Sequence, residues 1–378
     1  MAMSASATDM TPLGGADEPL VHGGDLGAAR RLFPGAPEPF IDLSTGINPY
    51  SYPLPRFSAD LFARLPEPAA ASAVAVAAAR AYGARSAENV VAAPGTQMLL
   101  PLVAGLVRRC RAAIVAPSYA EHARAAVYAG HQVEAVRELD ACRNAGLVIV
   151  GNPNNPDGRL HARTALLDLA RELRRRGGLL VVDEAFMDVG PPGASLAADV
   201  SCGNVVVLRS FGKFFGLAGI RLGFALTAPA LATRLCAALG PWAVSGPALA
   251  VGAKALADQA WCERTRRRLE RGAKRLDAIL AGVDLDIVGG TSLFRLARTP
   301  KAGALFRHLG GAGILVRAFL DNPSWLRFGL PASEREWQRL AGAMASFRDS
   351  GRAMARQLGA GPAGRKGGRS AKDADRLR

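Results

Sequence analysis

Three short runs of branched apolar residues restrict the fold of this chain most strongly. They are "GLVIVGNP" at 146–153, "LLVVDEAF" at 179–186 and "NVVVLRSF" at 204–211. Each run is apolar without alternation, which is typical of a strand buried on both faces of a sheet. Amphipathic helical patterns such as "HARTALLDLARELRRRGG" separate them. The alternation predicts an α/β domain whose mainly parallel sheet is covered by helices on both sides.

The pattern changes near residue 240. "ALAVGAKALADQAWCERTRRRLERGAKRLDAILAG" predicts a long helix. "TSLFRLA", "GILVRAF" and "SWLRFGL" indicate strands before a last helix that ends near residue 355. We interpret this part as a smaller α+β domain. The predicted divisions are a disordered start at 1–20, an arm with a substrate loop at 21–55, a large domain at 56–240, a small domain at 241–357 and a basic disordered tail at 358–378.

Composition indicates a soluble globular protein, because 49% of the 378 residues are hydrophobic and 21% are charged. No run approaches about 18 uncharged apolar residues, so no membrane helix is expected. The N-terminus lacks the basic and apolar regions of a secretory signal. The five cysteines are scattered without metal-ligand spacing, which predicts a reducing cytoplasm, no disulfide framework and no metal site.

The net charge of +15 favours anionic partners. The segment 361–378 has six basic and two acidic residues, which gives +4 of this total. Small anionic substrates and nucleic acid both suit a basic protein. Nucleic acid is the less favoured partner, because zinc-finger spacing and aromatic-rich RNA-binding runs are absent from the sequence.

Polar residues follow the apolar runs, where open α/β sheets bind their ligands. Asn155 follows the first run, Asp183 ends the second, and Ser210 and Lys213 follow the third. Gly95–Thr96 precedes a predicted helix, whose free N–H groups and dipole favour a phosphate. The sequence therefore predicts an anion cradle, a carboxylate, an amide and a lysine at the ends of the strands.

Lys213 lies in the apolar stretch "SFGKFFG", where an isolated ammonium is costly to bury. Pyridoxal 5'-phosphate (PLP) would use all four groups. It carries a phosphate, a ring nitrogen that a carboxylate keeps protonated, a phenolic oxygen, and an aldehyde that forms a Schiff base with lysine. We therefore expect PLP as the cofactor, with Lys213 as the catalytic residue.

Residues 40–355 resemble the class I/II aminotransferases of PLP fold type I. The resemblance lies in Ser210-x-x-Lys213, Arg221 eight residues further on, Asp183 before Glu-Ala-Phe, and Asn155-Pro-Asp-Gly. It implies a fold-type I large domain with a mostly parallel, seven-stranded sheet, and a homodimer with sites near the interface. Phe186 replaces a tyrosine that is common in this family.

The resemblance also implies roles for individual residues. Lys213 would carry the cofactor, Asp183 would pair with its ring nitrogen and Asn155 with its phenolic oxygen. The other implied contacts are Gly95, Thr96, Ser210 and Arg221 on the phosphate, Tyr119 stacked on the ring, and Arg327 on the substrate carboxylate.

The N-terminal segments "HGGDLGAARR" and "DLSTGINPY" resemble threonine-phosphate decarboxylases, a cobalamin-pathway branch of the same family. This implies a phosphorylated amino acid, L-threonine O-3-phosphate, as substrate, bound by His22, Asn48, Arg317 and Arg327. The shared motifs do not distinguish decarboxylation from amino transfer, so an aminotransferase of the histidinol-phosphate type is an alternative. A non-enzymatic basic binding protein is a second alternative, which the intact set of Lys213, Asp183 and Asn155 disfavours.

Each feature also has a purely structural interpretation. Gly95–Thr96 could begin a helix without a ligand, residues 152–158 could form only a turn, Tyr119 could be a packing aromatic, His22 could be a loop residue, and Arg317 and Arg327 could form ordinary ion pairs.

Overall fold

The structure is a computed structural model that describes residues 22–283 and 285–359, with side chains described up to residue 350. The strands are β1 Ile41–Leu43, β2 Val90–Ala93, β3 Arg111–Val115, β4 Gln132–Val136, β5 Leu147–Gly151, β6 Leu179–Asp183, β7 Val205–Ser210, β8 Gly223–Thr227, β9 Asp286–Thr291, β10 Phe294–Arg298, β11 Ile314–Ala318 and β12 Trp325–Gly329. The helices are α1 Leu26–Leu32, α2 Asp60–Ala63, α3 Pro68–Tyr82, α4 Thr96–Ala104, α5 Ala120–Tyr128, α6 Arg163–Arg174, α7 Phe211–Phe214, α8 Pro229–Leu239, α9 Gly246–Ala257, α10 Gln259–Ala281, α11 Ala302–Gly311 and α12 Glu334–Gly359.

The large sheet has seven strands in the order β2-β8-β7-β6-β5-β3-β4. Strand β8 is antiparallel to both of its neighbours, and the other four pairs are parallel. The predicted mostly parallel, seven-stranded sheet is therefore confirmed. Alternate residues of β5 enter two different cores, with Val148 and Val150 in one and Leu147 and Ile149 in the other. Because both faces are buried, the strand sequence shows no polar alternation.

The second sheet has five strands in the order β1-β11-β12-β10-β9. Its first strand comes from the N-terminal arm, where Ile41 pairs in parallel with Ile314 of β11. The arm therefore contributes to a sheet whose other strands all follow residue 285. This pairing spans more than half of the chain, so no local pattern could have predicted it.

The long helix predicted after residue 240 is two helices, α9 and α10. The break lies at Asp258, whose side chain accepts a hydrogen bond of 2.9 Å from the backbone N–H of Trp261 and caps α10. Helix α9 packs on α3, beside the large sheet. The division of the chain at residue 240 stays a prediction.

The two ends of the chain lie mostly outside the described residues. This holds for the predicted disordered start at 1–20 and for residues 360–378 of the predicted tail, while α12 extends to Gly359. Within 22–283 and 285–359, no helix is long and apolar enough to cross a bilayer.

Candidate active site

The carboxyl ends of β5, β6 and β7 meet at one edge of the large sheet. Gly151 pairs with Asp183, and Asp183 pairs with Leu208, so the residues that follow these strands are neighbours. This register brings Asn155, Asp183 and the segment from Ser210 to Lys213 to the same edge. The sequence predicted this convergence from the strand pattern alone.

Lys213 lies in the four-residue helix α7, between the fully buried Phe211 and Phe214. Its Nζ is 5.9 Å from the centre of the Phe186 ring. Within the described part of the chain, the amine has no hydrogen-bond or ion-pair partner. Burial, with a contribution from Arg327, lowers the pKa of Lys213 to about 8. The side chain is therefore close to its neutral, nucleophilic form near physiological pH.

Asp183 is held by a buried histidine that the sequence analysis missed. One carboxylate oxygen lies 2.8 Å from Nε2 of His122, and the other accepts a 3.0 Å hydrogen bond from the N–H of Ala185. The second ring nitrogen of His122 lies 2.7 Å from Oγ of Ser118. Both ring nitrogens are thus engaged, which fixes the carboxylate where a protonated ring nitrogen could pair with it. Ser118 and His122 are four residues apart in the sequence. This spacing can place two side chains on the same side of a helical turn, and it is the signal that could have indicated the pair.

The residues predicted to hold a phosphate lie together at the start of α4. Gly95 has φ 84°, and a Cβ there would lie 2.7 Å from a guanidinium nitrogen of Arg221. A Cβ at Gly223 would lie 2.6 Å from the backbone nitrogen of Thr96, and Gly223 pairs with Ser210. Free N–H groups of a helix start and a guanidinium therefore form one cradle for an anion.

Tyr119 begins a chain of hydrogen bonds along the rim of the site. Its hydroxyl donates to Oε1 of Gln97 at 3.1 Å, and Nε2 of Gln97 donates to Glu121 at 2.7 Å. The other oxygen of Glu121 lies 3.0 Å from Nε2 of His22. Tyr119, His22 and Arg221 line one open cavity of about 620 Å³. The sequence analysis missed Gln97 and Glu121, because helical spacing does not show which side chains face the edge of the sheet.

Burial raises the pKa of Tyr119 to about 12, with Glu121 acting in the same direction. The side chain therefore stays a neutral phenol over the physiological range. Its ring lies 5.9 Å from the ring of His22. Whether Tyr119 stacks on a cofactor and His22 binds substrate stays a prediction.

Arg317 and Arg327 lie directly opposite each other on β11 and β12. Arg327 is buried and donates to Oδ1 of Asn155 and, at 2.8 Å, to the carbonyl of Ser44. Burial, reinforced by Arg317, lowers the pKa of Arg327 to about 10. Two cations directly opposite on neighbouring strands destabilise a sheet. An anionic substrate near both would offset that cost.

Asn48 lies against residues 213–216, which we call the lysine loop. Its Nδ2 donates to the carbonyl of Phe214 at 2.7 Å, and its Oδ1 accepts from the N–H of Tyr50 at 2.8 Å. The side chain is 1% exposed. Both ends of the amide thus bond to backbone, and the predicted contact with substrate stays a prediction.

The chemistry of this edge fits PLP. The cradle at Gly95 and Arg221 suits a phosphate, the carboxylate of Asp183 suits a protonated ring nitrogen, and the unpartnered amine of Lys213 suits an aldehyde. No group of three metal-ligating side chains occurs in the described segments.

Comparison with known proteins agrees with this site. Residues 56–344 match the aminotransferase class I and II family, and the chain belongs to that family.

The chain is similar to two threonine-phosphate decarboxylases. It is 40% identical to that of Pseudomonas aeruginosa, over 87% of this chain and 98% of the relative. It is 43% identical to that of Sinorhizobium sp, over 86% and 98%. Among solved structures, the histidinol-phosphate aminotransferase of Sinorhizobium meliloti in complex with pyridoxal-5'-phosphate has a TM-score of 0.75 at 21% identity, with 92% of this chain and 99% of that chain covered.

Proposed function

We propose that this chain is a PLP-dependent enzyme that decarboxylates L-threonine O-3-phosphate to (R)-1-amino-2-propanol O-2-phosphate and CO2, for cobalamin biosynthesis. One observation carries this proposal: the 40–43% identity to two threonine-phosphate decarboxylases extends over 98% of their lengths. The opposed pair of Arg317 and Arg327 supports it, because the substrate carries both a carboxylate and a phosphate.

The proposed binding roles follow from the contacts of the site. Arg327 holds the substrate carboxylate, and its planar guanidinium suits a bidentate pair. Arg317 and His22 are the proposed partners of the substrate phosphate. Arg327 already contacts Asn155, so the substrate carboxylate would lie next to the residue proposed for the phenolic oxygen of the cofactor.

Lys213 has two proposed tasks. It holds the cofactor, and it returns a proton to the Cα atom from which CO2 has left. Bound PLP supplies the electron sink that accepts the electron pair of the broken bond. A pKa near 8 suits Lys213 for both tasks, because the amine exchanges protons readily near neutral pH.

Amino transfer by an enzyme of the histidinol-phosphate type is the less supported alternative. The solved structure of that type is 21% identical to this chain, which shows the fold alone. Asp183, Asn155 and Lys213 would serve either reaction, so they do not separate the two.

Attachment of PLP to Lys213 tests the proposed site. Borohydride reduction of the loaded protein should fix PLP on Lys213, located by mass spectrometry of peptides. Lys213→Ala should lose the reducible attachment, whereas Lys254→Ala, on the exposed side of α9, should keep it. Attachment that persists in Lys213→Ala would contradict the assignment.

We also propose a cytoplasmic homodimer. All five cysteines are free, which suits a reducing compartment. Leu54 of the arm, Phe62 of α2 and Leu65 just after α2 are exposed, and a second copy of the chain could cover them. Light scattering should give twice the chain mass of 39.4 kDa, and a fully active monomer would contradict this proposal.

A further inference from the structure

We propose that Asn48 is a positioning residue for Lys213, because it anchors a clasp that holds the backbone of the lysine-bearing helix α7. The clasp is defined as residues 48–52. This inference rests on the proposed function only in that Lys213 is taken to carry the cofactor.

The clasp donates to every backbone carbonyl from residue 213 to residue 216. The four hydrogen bonds are Asn48 N–H to Lys213 at 2.9 Å, Asn48 Nδ2 to Phe214 at 2.7 Å, Tyr52 N–H to Phe215 at 2.8 Å and Ser51 Oγ to Gly216 at 2.8 Å. Two of them come from Asn48. The N–H and the side chain of this residue bind consecutive carbonyls.

These bonds matter because α7 has only four residues, Phe211–Phe214. The last four carbonyls of a helix have no partner within the helix, and a helix this short is not stable by itself. Buried carbonyls without partners are costly. Phe211 and Lys213 accept only long local bonds, from the N–H groups of Phe215 at 3.3 Å and Gly216 at 3.4 Å. The clasp therefore supplies the shorter hydrogen bonds that fix where the backbone of Lys213 lies.

The orientation of Asn48 is itself fixed. Its Oδ1 accepts from the N–H of Tyr50, which leaves Nδ2 pointing at Phe214. Gly216, with φ 65°, lets the loop approach, because a Cβ there would lie 2.6 Å from the carbonyl oxygen of Asn48. An aspartate at position 48 could still accept from Tyr50 but could not donate to Phe214.

The clasp also connects Lys213 to the substrate arginine. Four residues before Asn48, the carbonyl of Ser44 accepts a 2.8 Å hydrogen bond from Arg327. One short stretch of chain, 44–48, thus contacts both the residue proposed to bind the substrate carboxylate and the loop that carries the amine. We infer that this stretch sets the distance between carboxylate and amine, which the reaction needs to be constant.

The test compares Asn48→Asp and Asn48→Ala with the wild type and with Asn89→Ala. Asn89 is a matched control, since it is also buried and donates to a backbone carbonyl, that of Thr227 at 2.8 Å, away from the site. The first readout is hydrogen exchange of the cofactor-free protein, which does not depend on enzymatic activity. We expect the amides of residues 211–217 to exchange at least about 10-fold faster in both Asn48 variants, and unchanged in Asn89→Ala.

Kinetics of the loaded enzyme give the second readout. Misplacement of Lys213 should lower kcat by about 10- to 100-fold and leave KM within about threefold. Ser51→Ala removes only the hydrogen bond to Gly216. It should also speed exchange of residues 211–217 and lower kcat, but by less than the Asn48 variants do. A raised KM with unchanged kcat and unchanged exchange would mean that Asn48 only contacts substrate, and would overturn the inference.

If the proposed function is wrong, the results will differ from those expected if only the clasp is wrong. In that case the wild type would not attach PLP at Lys213 or would release no CO2. The exchange comparison would still decide whether the clasp holds α7. Exchange in Asn48→Ala equal to that of the wild type would overturn the clasp even in an active enzyme.

Discussion

At the scale of single residues, the site depends on an amine in apolar surroundings. The ring of Phe186 lies 5.9 Å from Nζ of Lys213, and burial lowers the pKa of this amine to about 8 from an ordinary value of 10.5. The unfolded chain therefore binds this proton more tightly than the folded chain does. Titration of Lys213 should therefore increase the free energy of unfolding of the protein as the pH rises from about 8 to about 10.5.

Lys213→Met should accordingly stabilise the cofactor-free protein at pH 7, by on the order of 1–3 kcal/mol. The gain should shrink as the pH rises towards 10.5, because the wild-type amine then becomes neutral in both states. Urea unfolding of both proteins at several pH values measures the difference. A difference that stays constant with pH would show that burial does not perturb Lys213.

Sequence could predict the residues of this site that follow strands, but not those that hold them. Lys213, Asp183 and Asn155 stand directly after apolar runs, where parallel strands place ligand-binding residues. His122, which fixes Asp183, lies on a helix far along the chain from its partner. Its contact depends on how α5 packs on the sheet, which local spacing does not determine.

At the scale of elements, a buried ionic cluster ties β6 to β7 behind the site. Arg209 lies 3.1 Å from Glu184 and 3.1 Å from Asp188, and its guanidinium stands 4.2 Å above the ring of Tyr82. Glu184 follows Asp183 directly. The cluster therefore holds the strand end that presents the carboxylate to the site.

Arg209→Met should cost about 3–5 kcal/mol of unfolding free energy, because it leaves two buried carboxylates without their partner. Arg298→Met is the control, since Arg298 and Asp286 form a pair whose side chains are 59% and 57% exposed. That pair should contribute less than about 1 kcal/mol. Equal losses in the two variants, measured by urea unfolding, would contradict a structural role for the cluster.

The close approach of β8 and α4 forms the proposed phosphate cradle. Gly223→Ala would place a Cβ 2.6 Å from the backbone nitrogen of Thr96, so the cradle must open. We expect PLP to bind about 10-fold or more weakly, as measured by fluorescence titration, since charge-assisted hydrogen bonds contribute about 1.5–3 kcal/mol each. Gly219→Ala, where a Cβ meets nothing within 4 Å, should bind PLP like the wild type. Equal affinities would place the phosphate elsewhere.

The sequence predicts the strands β5, β6 and β7, but it does not predict how every strand of the two sheets is paired. Runs of Val and Leu identified β5, β6 and β7, because strands buried on both faces lack polar residues. The antiparallel direction of β8 and the pairing of β1 with β11 depend on contacts between distant segments. Such pairings leave no periodic signal in the chain.

At the scale of the whole molecule, the arm joins the two sheets at the site. Its strand β1 belongs to the small sheet, and its residues 48–52 hold the lysine loop of the large sheet. The arm therefore contacts both the small sheet and the segment that carries Lys213.

The most direct test of the account is a product assay on purified, PLP-loaded protein that receives L-threonine O-3-phosphate without any keto acid. We predict release of CO2 together with aminopropanol phosphate, in equal amounts and over many turnovers. Absence of CO2, with amino transfer from histidinol phosphate to 2-oxoglutarate instead, would contradict the proposed decarboxylation and leave the cofactor site in place.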